Sequence, residues 1–243
     1  MASEASPVQG STPSMPWQRP SWLRPKYLLF GFIALMAAYV AMTSERFLVH
    51  PKDPEWQHIA SFRWWLLPHG LAGACALILG PMQFSDRLRQ RFIGLHRKVG
   101  YVYIVCTFVA APIAVYIEHL DERLGFSRTF TFETFFQSGL WILTTAIALG
   151  FILKGKVQQH RQWMTRSFGT GPLIFIEARV IFGLAHIHSA AMAEAIVWAC
   201  TASSIFVADV VLQVQETLRS RPARAKVTAG GAATARRPVA SPV

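Results

Sequence analysis

Six apolar runs, at 27–43, 64–84, 99–117, 135–153, 168–186 and 192–214, alternate with short polar connections along the 243 residues. Each is close to the roughly 20 residues that a helix needs to cross a hydrocarbon core. Inside hydrocarbon, only helices and closed barrels satisfy their own backbone polar groups. Charge is scarce for a soluble domain: 15% of residues are charged, against about 25% in ordinary globular chains. The expectation is an all-α polytopic membrane protein of six transmembrane helices. A tail at 1–26 and a basic tail at 215–243 are expected to be disordered.

The cations set an orientation. The net charge is +11, and the cations lie between and beside the apolar runs rather than on one patch. Three fall in the N-terminal tail, five in 85–98, four in 154–167 and six after 214, making eighteen on one side. The opposite loops carry five: Arg46, Lys52, Arg63, Arg123 and Arg128. The positive-inside rule then puts both termini in the cytoplasm and the protein in the cell's inner (plasma) membrane. Trp64, Trp65 and Tyr116 mark the outer interface, and Trp22, Tyr101 and Trp163 the inner one. No nucleic-acid motif accompanies the basic charge, so the expected surroundings are lipid and no nucleic-acid partner.

Cys75, Cys106 and Cys200 all sit in apolar runs with no CxxC spacing, and read as small buried thiols. The second and third helices each carry a face that opens on histidine and continues in small residues. One runs His69, Gly73, Ala76, Gly80, Gln83, and the other His96, Gly100, Tyr103, Thr107, Ala110. Such faces either pack helices closely or line a cavity for a cofactor. His160-Arg161 echoes His96-Arg97 at a distance of 64 residues, each at the entry of an outward-running helix.

Two histidines on facing helices are how a bundle holds b-type haem. His96 with His160 would make one such pair, with Arg97 and Arg161 for the propionates, and His69 with His186 another. A divalent metal at His69, His186 and His188 is an alternative, and so is no ligand at all. Glu177, Arg179 and Asp209 fall inside spans, where charge is costly and faces a partner or a wet cavity. Glu177 and Arg179 point to nearly opposite faces, so Asp209 is the expected partner of Arg179.

His69, Gly80-Pro81-x-Gln83, Leu95-His96-Arg97-x-x-Gly100-x-x-Tyr103 and His160-Arg161-x-Trp163-Met164-x-Arg166-Ser167 together resemble an uncharacterised family of bacterial multi-pass membrane proteins, a domain of unknown function. The resemblance spans about residues 65 to 215. It departs from the family at Tyr101, where an arginine is usual, and at Phe168, where a tyrosine is usual. It implies the fold and a membrane location but no activity. Three functions follow from the residues. The first is haem-based electron transfer with a quinone or small redox partner. The second is a transporter or lipid-binding protein with a polar intramembrane cavity. The third is a structural or assembly subunit.

Overall fold

The computed structural model describes residues 25–43, 55–186 and 189–234. Most of the N-terminal tail, the last nine residues and His188 lie outside the described residues. Helices, in order, are α1 (Pro25–Thr43), α2 (Glu55–His58), α3 (Arg63–Gln83), α4 (Asp86–Arg91), α5 (Ile93–Arg123), α6 (Arg128–Leu153), α7 (Val157–Phe168), α8 (Ile174–Leu184) and α9 (Ala190–Thr234). A 3₁₀ turn, Ile59–Ser61, follows α2, and a π-helical turn, Gly169–Leu173, joins α7 to α8.

Five helices among the described residues are long and apolar enough to cross a membrane: Arg63–Gln83, Ile93–Arg123, Arg128–Leu153, Val157–Leu184 and Ala190–Thr217. The first expected span appears as the shorter apolar stretch Phe30–Thr43. It packs against the bundle at two points. Phe30 stacks on Phe84 at one end, with ring centroids 6.1 Å apart, and Tyr39 fills the space beside Gly183 at the other.

The fifth span differs most from expectation. It begins at Val157 rather than 168, because the basic stretch expected as a loop is helical and carries His160 in its first turn. Pro172 has no N–H, and its ring would clash with the carbonyl four residues back. The wider π turn around it keeps the chain continuous instead of breaking it. At the C-terminus, α9 runs on to Thr234, past the expected end at 214.

Consecutive long helices pack as antiparallel neighbours, with α9 also against α6 and α7, and α1 against α8. Helices α3 and α5 share one register. Trp65 meets Tyr116 edge-on at 4.8 Å, His69 meets the Ala110 carbonyl, Gly80 faces Tyr103 and Gln83 faces Gly100.

Burial is inverted relative to a soluble protein. Thr107, Thr144, Thr145, Ser167, Thr170, Thr201 and Ser204 are buried, whereas Leu71, Ile78, Val105, Phe108, Phe135, Leu143 and Phe206 are exposed. An apolar girdle this wide on a water-soluble monomer would be an aggregation or interaction surface. Around a bundle of apolar helices it is the face that lipid covers. With no hydrophobic drive between helices in lipid, close packing and interhelical hydrogen bonds hold the bundle.

The small-residue faces show this packing. A Cβ at Gly80 would overlap the Phe168 ring, and one at Gly171 would overlap the Trp141 indole. Phe168 also meets Phe84 edge-on at 5.9 Å. At these two glycines the face receives aromatic rings of the chain itself, not a flat cofactor.

Candidate functional site

The centre of the bundle is a hydrogen-bonded ring of buried side chains where α5, α6 and α7 meet. Thr145 donates to the Trp141 carbonyl at 2.7 Å. Its hydroxyl oxygen therefore accepts from Ser167, also at 2.7 Å. Ser167 in turn accepts from the Tyr103 hydroxyl at 2.9 Å, and Tyr103 accepts from the Trp141 indole N–H at 3.2 Å. Each hydroxyl has one proton, so a single direction satisfies the circuit, which starts and ends on Trp141. Thr170, in the π turn, bonds Thr144 at 3.2 Å and the Ser167 carbonyl at 3.3 Å. The spacing on α6 carried a signal for this: Thr134, Ser138, Trp141, Thr145 and Ala148 form one buried stripe of mostly small or hydroxylated residues in an apolar span.

Tyr103 and Ser167 are 64 residues apart, the separation of His96 and His160. Both helices run inward from the same end, and each histidine stands seven residues, about two turns, before its partner in the ring. Seven residues return to nearly the same helical face. The Tyr103–Ser167 contact thus sets His96 and His160 at one level, two turns before it. His96 lies within Coulombic range of His160, Arg89 and Arg97.

The two imidazoles are held differently. His160 Nδ1 is 2.9 Å from the Ala148 carbonyl. A carbonyl only accepts, so Nδ1 carries a proton, and in the neutral ring Nε2 is the nitrogen with the lone pair. His96 Nδ1 is buried with no hydrogen-bond partner, and so is Nε2 of Gln83, whose Oε1 lies beside Gly100, one turn further along the His96 face. Buried polar atoms are nearly always satisfied. Two orphans within a turn of each other mark a place where water or a bound molecule belongs. Sequence reading named His96 and His160 but passed over Gln83 and Arg89 as site residues.

His69 is built like His160. Its Nδ1 meets the Ala110 carbonyl of α5 at 2.9 Å, which again leaves Nε2 as the acceptor. His186 is exposed at a left-handed turn after α8, with φ of 51°. Among the described residues no group of three or more His, Cys, Asp or Glu side chains is arranged for a metal ion. His188, the third residue of the expected metal set, falls outside the described residues.

The intramembrane charges are sorted by helix face. Asp209 is taken by Arg166, with Nε at 2.9 Å and the terminal nitrogen at 2.7 Å from the same carboxylate oxygen. The expected Arg179–Asp209 pair is therefore replaced by Arg166–Asp209. The reason is depth: Asp209 and Arg166 both lie toward the arginine-rich end, whereas Arg179 lies toward the other. Arg179 sits over the Phe175 ring at 4.0 Å and within Coulombic range of Glu118. Glu177 lies on the α9 side, within range of Cys200. Glu133 is inside α6 and only 1% exposed, accepting a hydrogen bond from Thr201 of α9 at 2.5 Å.

No curated protein and no solved structure matches the chain. Residues 66–212 match a family model, and they contain the buried ring, the His96–His160 level and the Arg166–Asp209 pair. The match covers more than half of the 243 residues, and the chain belongs to the family described as "Predicted membrane protein (DUF2306)".

Proposed function

We propose that His96 and His160 hold one b-type haem at the arginine-rich end of a six-span bundle, and that the protein passes electrons between a quinone or small redox partner and an acceptor. The observation that carries this is the shared 64-residue register. Each imidazole stands two turns before the Tyr103–Ser167 contact, and the two lie within Coulombic range of each other, which supports a shared ligand.

The residues fit such a ligand on three counts. His160 has the usual arrangement of a ligating histidine, with Nδ1 anchored on a carbonyl and Nε2 unengaged by that bond. The orphaned atoms of His96 and Gln83 lie beside a glycine. Arg97 and Arg161 supply cations for carboxylates, while Arg89 is paired with Asp86 at 2.7 Å. Bound there, haem supplies one-electron chemistry. The chain's own part is to present two imidazoles, keep water from their inner side with the packed Tyr103–Trp141 layer, and compensate acid groups at the rim.

In this reading α1 is the sixth span, and the arginine-rich end with both termini faces the cytoplasm. Reporter fusions after residues 90, 160 and 220 are expected to report the cytoplasm, and those after 55, 125 and 190 the outside. A consistent inversion would reverse the orientation, and a mixed pattern would break the span count.

Protein purified from haem-replete cells is expected to show a Soret band. The band should be lost in His96→Ala and in His160→Ala and retained in Arg97→Ala. A colourless parent protein would reject the haem. A second reading, an anionic headgroup held by Arg97 and Arg161, needs the cations but not opposed imidazoles. It predicts the reverse pattern: phosphatidylglycerol binding lost with Arg97→Ala and kept with His160→Ala.

A further inference from the structure

We infer that Cys75 of α3 and Cys106 of α5 form a redox-active dithiol that a lipid-soluble quinone oxidises to an interhelix disulfide. The α3–α5 register places the two thiols opposite each other. On one side of them His69 meets the Ala110 carbonyl at 2.9 Å, and on the other Gly80 faces Tyr103 and Gln83 faces Gly100. Each step along α3 is matched by a step back along α5, and Cys75 and Cys106 fall between these fixed points. Both belong to the same packed cluster, and the two thiols lie near enough to act on each other electrostatically. Both are free cysteines.

Bridging requires the two Cα atoms within about 7 Å, closer than most helix pairs allow. Here the neighbours are small. Ala72 and Ala76 flank Cys75 on α3, and Ala110 and Ala111 follow Cys106 on α5, all buried. Small residues at a helix contact let the backbones approach.

The position also selects the oxidant. Cys106 is buried and Cys75 half-buried, both mid-span in helices whose outer faces are apolar. A thiolate and a water-soluble disulfide are both excluded from hydrocarbon. A quinone is lipid-soluble and accepts two electrons with two protons. In the step, the two S–H bonds break, one S–S bond forms, and both hydrogens pass to the quinone oxygens to give the hydroquinone. The sulfurs are oxidised, the quinone is reduced, and no net charge is left in the bilayer.

The purified full-length protein would be incubated in liposomes with a fully substituted short-chain benzoquinone, then denatured and alkylated, and its thiols counted by mass. The expected result is that alkylatable thiols fall from three by two and return after reduction with a phosphine. The same loss of two is expected in Cys200→Ala and in His96→Ala, the latter separating this inference from the haem reading. No loss is expected in Cys75→Ala or Cys106→Ala. A loss of one thiol, a quinone adduct in the mass, no loss at all, or a loss that depends on Cys200 would overturn the dithiol.

Discussion

Gly171→Ala is expected to destabilise the protein by about 1–3 kcal/mol, the usual cost of overpacking a filled core. Two effects oppose each other at this position. Alanine is the better helix former by about 0.8–1.0 kcal/mol, which alone would make the substitution stabilising. Against it, the new Cβ would lie inside the Trp141 ring. A ring can yield where it is the free end of a flexible side chain. Trp141 is not: its indole is 7% exposed, and its N–H is committed to Tyr103. Overlap should therefore win.

Comparison glycines make the sign informative. Nothing lies within 4 Å of a Cβ at Gly139 or Gly150 of α6, so Gly150→Ala is expected to be neutral or stabilising. Detergent-solubilised variants compared by thermal unfolding would show this. A Gly171→Ala protein as stable as the Gly150→Ala protein would mean that the α6–π-turn contact is looser than described.

That contact also shows how far the sequence could be read. The apolar runs and the loop charges are one-dimensional quantities, and they located the long helices because the bilayer imposes a length. Helix ends were less legible. Residues 157–167 looked like a basic loop because hydropathy marks where lipid begins, not where the backbone stops being helical. Gly171-Pro172 would suit either a kink or a π turn, so the pair alone does not decide between them.

The site was legible in pairs and illegible in directions. His96-Arg97 and His160-Arg161 stood out by repetition, and their depth followed from the spans. Whether their faces converge depends on the rotation of α5 against α7, which the Tyr103–Ser167 bond sets. The charges failed for a similar reason. Glu177 and Arg179 were separable by helical angle, but choosing among carboxylates needed depth, and Arg166 reaches Asp209 first. Cys75 and Cys106 were judged singly as inert thiols, and only the antiparallel register of α3 and α5 makes them a pair.

Tyr103 should be the most sensitive position in the chain, and its two parts separate cleanly. It is 0% exposed and the largest of the fully buried side chains. Removing the ring in Tyr103→Ala is expected to cost about 3–5 kcal/mol, as for other buried aromatics. Phe168, Trp141 and the Gly80 backbone would be left around a void that rigid helices close only in part. Tyr103→Phe keeps the ring and removes one oxygen, opening the directed circuit at its middle. The Trp141 N–H then loses its acceptor and Ser167 its donor, at a site where Tyr103 and Ser167 are both fully buried. Leaving a buried group unpaired costs about 1–3 kcal/mol. The hydroxyl part should shrink in a Tyr103→Phe, Trp141→Phe double variant, because the donor is removed with the acceptor. Strictly additive losses in that cycle would show that the circuit does not act as a unit. The ligand readout separates position from stability. If the ring sets the α5–α7 register, Tyr103→Ala should lose the Soret band together with the alignment of His96 and His160. Tyr103→Phe, less stable but still in register, should keep it. Equal retention of the band in both variants would disconnect the buried ring from the histidine pair.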